Sequence, residues 1–139
     1  MQIKKQLTFL MLGLLTSFEV VSARPTLQIT YLSGFRQGNI PSGQLFSVDY
    51  NITNPDSTAH AINFSNNYID TRITSVLTAP CTYGNLGAII PANGTCSLRL
   101  NIIAIRGRLG GGPFVCIDRT ICSQPDPTQV LDIRVIPNR

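Results

Sequence analysis

Apolar and polar residues alternate with a period of two along most of the chain beyond residue 26. The longest such run lies between residues 46 and 53, where polar residues separate Phe46, Val48, Tyr50 and Ile52. Successive side chains of a β-strand point to opposite faces. The run therefore predicts a strand with one buried face and one solvated face.

Shorter runs of the same kind predict further strands, separated by clusters of Gly, Pro, Asn, Asp and Ser. These lie at 27–31, 61–64, 73–77, 98–102, 114–117 and 130–136. No segment has a helical apolar period over three turns. The pattern predicts a single all-β domain, an antiparallel sandwich of about seven strands.

Segments rich in glycine and proline are predicted to be loops. One follows the first strand and contains Gly38 and Pro41, and another crosses between Cys81 and Cys96. Residues 106–113, with three consecutive glycines, are predicted to be the most flexible segment. A loop with two prolines is expected before the last strand.

The N-terminal residues have the features of a secretory leader. Lys4 and Lys5 precede an apolar run from Leu7 to Phe18, and the small residues that end at Ala23 suit a signal peptidase. We predict a signal peptide over residues 1–23 and an exported domain over 24–139. The apolar run is shorter than the roughly 20 residues that span a bilayer. We therefore expect no membrane insertion and a periplasmic or extracellular location.

The four cysteines, Cys81, Cys96, Cys116 and Cys122, all lie in the predicted exported domain. In an oxidising compartment an even number of cysteines indicates disulfides, here two, with three possible connectivities. No C-x-x-C pair occurs, and His60 is the one histidine available as a ligand. We therefore expect no metal site and no cofactor.

The charged residues of 24–139 are of two kinds, nine arginines and six aspartates, because the lysines and the glutamate lie in the leader. This mildly basic balance lacks the clustered basic stripe of nucleic-acid-binding proteins, and we expect no nucleic-acid partner. Arginine is the cation best suited to bidentate contacts with carboxylate, sulfate or phosphate groups.

The segment from Cys81 to Leu100 resembles a half-motif, C…L-x-P-x-(G/N)-x-C-x-(L/V)-x-(V/L), of immunoglobulin-like domains in bacterial exported proteins and in the related ASPM/SPD-2/Hydin type. The strand end Tyr50–Asn54 matches the segment that precedes it in that family, so the resemblance covers about Phe46 to Ile102. It implies an immunoglobulin-like sandwich with a Cys81–Cys96 bridge.

Under that pairing, Cys116 and Cys122 would bond each other. The chain departs from the family pattern after Ile103, where a glycine-rich segment and this second cysteine pair replace a turn and a plain strand. The fold that the resemblance implies is shared by many activities, so the resemblance indicates little about function.

Catalysis requires converging titratable groups, and residues 24–139 contain neither glutamate nor lysine. No G-x-S-x-G, H-E-x-x-H or phosphate-binding loop motif occurs. His60 follows a turn with no Asp or Cys at an informative spacing, which predicts a partly exposed histidine at a strand edge. We therefore expect that the protein is not an enzyme.

A binding site is predicted around the glycine run Gly110, Gly111 and Gly112, whose backbone amides could face an anion. In the expected sandwich the loops that hold Arg36, Arg106 and Arg108 emerge at one end. These arginines could bind a sulfated or carboxylated ligand. The alternative is that the glycines form a flexible turn and the arginines are solvated.

Two function classes remain open on the sequence. The first is a secreted, monomeric binding module without catalysis, whose partner is an anionic glycan or a protein at a host or cell surface. The alternative is a structural domain that pairs through an edge strand with another exported protein.

Overall fold

A computed structural model describes residues 26–65, 71–85 and 87–139 of the chain. These residues form an all-β structure without helix. The strands are β1 Gln28–Gly34, β2 Gln37–Pro41, β3 Leu45–Thr53, β4 His60–Ser65, β5 Thr71–Leu77, β6 Thr82–Gly84, β7 Gly87–Ile90, β8 Thr95–Ala104, β9 Arg108–Gly111, β10 Phe114–Ile117, β11 Ile121–Ser123 and β12 Leu131–Ile136.

The strands form three sheets. A four-stranded sheet has the order β1-β3-β8-β5, and a five-stranded sheet has the order β11-β10-β4-β7-β6. All pairs in these two sheets are antiparallel. The third sheet has the order β2-β12-β9, in which β2 runs parallel to β12.

Two short connections join the sheets. Gly34 ends β1 with a φ of 97°, and a Cβ at this position would overlap the carbonyl oxygen of Ser47. Only glycine therefore allows the chain to leave the four-stranded sheet here and enter β2. Gly112 and Pro113 are the only residues between β9 and β10. The chain therefore passes directly from the three-stranded sheet into the five-stranded sheet.

All three sheets contribute to one buried core. Tyr50 and Leu98 enter it from the four-stranded sheet, Val115 from the five-stranded sheet, and Leu109 and Ile133 from the three-stranded sheet. Because successive side chains of a strand point to opposite faces, the residues between these core residues face outward. The three-stranded sheet thus has an apolar inner face and a separate outer face.

All seven predicted strands are present, but the structure has twelve strands rather than about seven. The strands that the pattern missed are β2, β6, β7, β9 and β11, each of three to five residues. Segments that were predicted as loops contain all five. Residues 106–113, predicted to be the most flexible, contain β9, which pairs with β12.

Both predicted disulfides are formed. Cys81 bonds Cys96, and Cys116 bonds Cys122, which lies directly opposite it in the β10–β11 pair. Two disulfides are consistent with an oxidising compartment. Residues 1–23 lie outside the described residues, so the signal peptide stays a prediction.

Candidate functional site

The outer face of the three-stranded sheet is lined by polar and charged side chains. The inward positions of its strands are buried and apolar, among them Ile40, Leu109 and Ile133. The outward positions are Gln37 and Asn39 on β2, Asp132 and Arg134 on β12, and Arg108 on β9. We call this surface the arginine face.

Two arginines of this face lie directly opposite each other. Arg108 of β9 is the register partner of Arg134 of β12, and Asn39 lies on the other side of Arg134. The Val135 amide donates to the Gly107 carbonyl at 2.9 Å. Hydrogen-bonded and non-bonded pairs alternate along an antiparallel ladder, so Arg108 and Arg134 form a non-bonded pair, the type with its Cα atoms closest, at about 4.5 Å.

One carboxylate accompanies the two guanidinium groups. Asp132 Oδ1 accepts from Arg108, at 2.8 Å from Nε and 2.7 Å from Nη2. Arg134 has no hydrogen bond or ion pair with any residue that the structure describes. Like charges directly opposite each other across a strand pair are destabilising. Within the described residues, the carboxylate of this face, Asp132, pairs with Arg108 and not with Arg134.

The arginine face lines an open depression of about 660 Å³. A second depression of about 390 Å³ adjoins it and is lined by Arg36, Gly110 and Thr128 among others. Gln37, Arg108 and Asp132 line both depressions. Arg108 thus stands at their junction.

Arg36 forms part of the wall of the second depression. Its Nη1 donates to the carbonyl of Thr128 at 2.8 Å, and its Cζ lies 5.1 Å from the ring centroid of Tyr31. Nη1 also donates to the carbonyl of Val130 at 3.4 Å, so Arg36 holds the loop that precedes β12 while it lines the second depression.

The loop over residues 124–130 is held at several further points. The hydroxyl of Tyr50, whose side chain is fully buried, donates to the carbonyl of Gln129 at 3.0 Å, and the Tyr31 amide donates to Gln129 Oε1 at 3.1 Å. The Thr128 amide and hydroxyl both donate to Asp126 Oδ1, and these bonds lower the pKa of Asp126. The wall of the second depression is thus formed before any ligand binds.

The structure brings together some of the predicted site residues and separates others. Arg36, Arg108, Gly110 and Gly111 line the second depression. Arg106 lines another depression, with Ser42 and Pro137 among its neighbours, and does not join them.

The glycine run differs from the free loop that was predicted. Gly110 and Gly111 belong to β9 and pair with Asp132 and Leu131 of β12, while Gly112 is buried. The run takes part in a sheet because Leu109 beside it is anchored in the core. The backbone of the glycine run is therefore not the open nest that was expected.

Arg134, Gln37 and Asn39 were not predicted as site residues from the sequence. A signal for Arg134 was present, because Leu131 and Ile133 are apolar and place Asp132 and Arg134 on the solvated side of the predicted last strand. The position of Gln37 and Asn39 depends on the parallel pairing of β2 with β12, and their segment was predicted to be a loop.

The outer face of the four-stranded sheet is also polar, but its side chains satisfy one another. Cross-strand hydrogen bonds join Ser47 to Asn101 at 2.7 Å, Asn51 to Ser97 at 3.0 Å, and Thr53 to Thr95 at 2.9 Å. This face therefore presents fewer free hydrogen-bonding groups to a ligand than the arginine face does.

The fourth pair of that ladder is ionic. Arg99 donates to Asp49 through Nε at 2.8 Å and through Nη2 at 3.0 Å. The hydrogen bonds from Arg99 lower the pKa of Asp49, and Asp49 in turn raises the pKa of Arg99. Here a cation and an anion oppose each other, whereas the equivalent positions of the arginine face hold two cations.

His60 has a carboxylate partner that the sequence analysis did not identify. Its Nε2 lies 2.8 Å from Asp56 Oδ2, and this contact lowers the pKa of Asp56. The buried Asn54 anchors the same turn by donating to the carbonyls of Thr58 and Pro91. The expectation that no aspartate lies at a useful spacing was wrong, and the pair belongs to a well-anchored turn.

The described ranges hold no group of three or more His, Cys, Asp or Glu side chains that could bind a metal ion. They also contain no helix with the length and hydropathy needed to cross a membrane. A scan against protein-family models and a search of curated proteins found no match to this chain.

Proposed function

We propose that the protein is an exported, non-catalytic binding module whose arginine face recognises anionic groups, such as the sulfates or carboxylates of a glycan at a cell or host surface. The observation that carries this proposal is that Arg108 and Arg134, two cations, lie directly opposite each other on one face. A single carboxylate, Asp132, accompanies them.

An anion bound between the two guanidinium groups replaces their repulsion with charge-assisted hydrogen bonds. The planar guanidinium matches the oxygen geometry of sulfate, phosphate and carboxylate. Gln37 and Asn39 add amide donors and acceptors beside this pair, and such amides suit the hydroxyls of a sugar. The open, polar depression favours an extended polar ligand over an apolar small molecule.

The residues of the face favour binding over turnover. Acid–base catalysis needs a group that gives up and takes back a proton near neutral pH. Arginine is a permanent cation, and the remaining charged residue of the face, Asp132, is held by Arg108. These groups can orient an anion, and we propose no chemical step for them.

We also propose an immunoglobulin-like fold. The order β1-β3-β8-β5 corresponds to the A-B-E-D sheet of such domains, and β4, the β10–β9 stretch and β12 correspond to strands C, F and G. The chain departs from that arrangement in two respects. β6 and β7 pair beside β4, and no disulfide joins β3 to the β10–β9 stretch.

Pairing through an edge strand is the less supported alternative. At one edge of the four-stranded sheet the Tyr31 amide donates to the side chain of Gln129. At the other edge the Leu77 amide donates to the hydroxyl of Tyr83 at 3.0 Å. A strand added at either of these positions would have to displace the side chain that bonds there.

Titration calorimetry of the oxidised protein with sulfated, carboxylated and neutral glycans tests the proposal. We expect the anionic glycans to bind and the affinity to fall with added salt. Arg134→Gln and Arg108→Gln should each lower that affinity by about tenfold or more, because each variant loses hydrogen bonds to a charged group. Arg119→Gln, at an exposed arginine of the β10–β11 turn, is the matched control. Equal binding of neutral glycans, or unchanged affinity in both face variants, would contradict the proposal.

A further inference from the structure

The two depressions form one continuous cationic surface. They share Gln37, Arg108 and Asp132, and each adds an arginine of its own. The first adds Arg134 and the second adds Arg36. Arginines therefore lie at both ends of the combined surface and at its junction.

The distance between the two ends follows from the register. Asp132 pairs with Gln37 in the parallel ladder, and its amide donates to the Arg36 carbonyl at 2.9 Å. Arg36 is thus level with the residue before Asp132, three residues from Arg134 along β12. At about 3.3 Å per residue, the Cα atoms of the two end arginines are separated by about 10 Å along the strand direction.

A small inorganic anion would occupy little of this surface. The first depression alone, at about 660 Å³, is within the range of pockets that hold whole organic ligands. Both depressions are open to solvent. A ligand that extends along the strand direction fits better than a single ion.

Asp132 determines where charges on such a ligand can lie. Its carboxylate stands between the end arginines and holds Arg108. A second anionic group placed beside Asp132 would be repelled, whereas groups on either side of it would meet Arg134 or Arg36. This repulsive element favours a ligand with spaced charges over one with continuous charge.

The lining residues also distinguish between polyanions. Among the described residues, no Phe, Tyr or Trp lines either depression, so these residues offer no aromatic platform for nucleobases. Gln37, Asn39 and Thr128 instead supply amide and hydroxyl groups. This combination favours a chain of sugars over a single-stranded nucleic acid.

We infer that the arginine face binds a linear glycan that carries sulfate or carboxylate groups on separate sugars, lying along β12 across both depressions. Arg134 and Arg108 bind one anionic group, and Arg36 binds another on the far side of Asp132. The inference rests on the proposed function and adds the length, charge spacing and orientation of the ligand.

The test compares chain lengths against the oxidised protein by calorimetry. The probes are inorganic sulfate, heparin-derived oligosaccharides of two, four and six sugars, a neutral hexasaccharide and a twelve-nucleotide oligothymidylate. We expect affinity to rise by about tenfold or more from the shortest to the longest sulfated probe, because a second charged contact adds to the first. Inorganic sulfate and the neutral hexasaccharide should bind weakest.

Variants assign the two ends. Arg134→Gln should weaken every sulfated probe, whereas Arg36→Met should remove the gain in affinity with chain length. Arg36→Lys keeps the charge and should recover part of the gain. Thermal unfolding of each Arg36 variant checks that the loop over 124–130 is intact, and Arg119→Gln is the control.

The outcomes separate the two proposals. If the disaccharide binds as tightly as the hexasaccharide and Arg36→Met has no effect, the extended ligand is wrong while anion recognition stands. If no sulfated probe binds, the proposed function fails. If oligothymidylate binds more tightly than the hexasaccharide, the glycan assignment is overturned.

Discussion

At the scale of single residues, Tyr50 connects the core to the candidate site. Its ring is buried and packs edge to face against Tyr31, with ring centroids 5.9 Å apart. Tyr31 in turn lies beneath the guanidinium of Arg36. The Tyr50 hydroxyl holds Gln129, in the loop that forms the wall of the second depression. A residue that the sequence pattern predicts to be buried in the core therefore also shapes the second depression.

Replacing Tyr50 with Phe should destabilise the fold by about 1–2 kcal/mol, because it leaves the Gln129 carbonyl without this donor while keeping the buried ring. Urea unfolding measures the loss, and hydrogen exchange should show faster opening of the loop over 124–130. Tyr31→Phe is the control, since its hydroxyl bonds to the Gly34 carbonyl at an exposed site. Equal effects of the two substitutions would argue against a special role for Tyr50.

The Asp49–Arg99 pair predicts a pH dependence of stability. The hydrogen bonds from Arg99 hold the pKa of Asp49 below its ordinary value of 3.8, so the folded state favours the carboxylate. The stabilisation is complete above about pH 5 and is lost as the pH falls through 3.8 toward the lower folded pKa. Because the Arg99 side chain is 60% exposed, screening by solvent keeps the contribution of the pair to stability small.

Unfolding free energy measured from pH 7 to pH 2 checks this dependence. Asp49→Asn should lower stability at neutral pH and reduce the slope in the acid range. Part of the slope should remain, because the pKa values of Asp56 and Asp126 are also lowered. An unaltered slope in Asp49→Asn would contradict the assignment.

At the scale of secondary-structure elements, two outer faces with similar composition have different pairings. Along β3 and β8, every polar residue from Ser47 to Thr53 that faces outward bonds to its register partner. Along β9 and β12, the corresponding positions hold Arg108 and Arg134. A neutral or acidic residue at one of these positions would make the fold more stable. Because the two arginines oppose each other at a cost in stability, we propose that this face has a role in binding.

This assignment predicts opposite effects on stability and on binding. Arg134→Gln should raise the free energy of unfolding by about 0.2–1 kcal/mol, because it removes a like-charge pair. The gain should be larger at low ionic strength, where screening is weak. Urea unfolding at low and high salt measures it, with Arg119→Gln as the control. A destabilised Arg134→Gln would show that the arginine has a structural role that the described contacts do not reveal.

The strands that could be predicted from the sequence are those in which apolar and polar residues alternate clearly. β3 and β8 are strands of nine and ten residues whose sequences alternate over 46–53 and 95–102, and they are found where expected. β2 and β9 each bury one large apolar side chain, Ile40 or Leu109, beside glycine, so their pattern resembles a loop. They are strands because β12 lies between them and supplies hydrogen-bond partners, and no local signal specifies that.

The same limit applies to the candidate site. The resemblance placed Arg36 and Arg108 on one side of the fold, and both line the second depression. Arg106 is only two residues before Arg108 but lies before the start of β9, and it lines another depression. Which arginines converge depends on strand register, and register between distant segments is not encoded in the alternation of either one.

At the scale of the whole molecule, three sheets enclose one core and two disulfides close short segments of chain. The Cys81–Cys96 bridge joins residues 15 apart, and the Cys116–Cys122 bridge joins residues 6 apart. Neither bridge contributes a residue to the lining of the two depressions. The disulfides therefore stabilise the fold without forming the site.

Removing the bridges should cost stability in the order of their loop lengths. By chain entropy, Cys81→Ala with Cys96→Ala should lose about 3 kcal/mol and Cys116→Ala with Cys122→Ala about 2 kcal/mol. Chemical denaturation of the two double variants measures the difference. Both should still bind sulfated glycans at temperatures where they remain folded. A larger loss from the shorter bridge would show that loop entropy does not dominate.

The parallel pairing of β2 with β12 also has a mechanical consequence. Gln37, where β2 begins, is level with Asp132, and Ile136, where β12 ends, is level with Pro41. A force that pulls the chain before β2 away from the chain after β12 acts on opposite ends of this ladder. Its hydrogen bonds are loaded in shear and must break together, whereas bonds pulled from one end open one at a time. The sheet that carries the arginine face therefore resists a pull on these two ends of the chain more strongly than a ladder that is opened from one end.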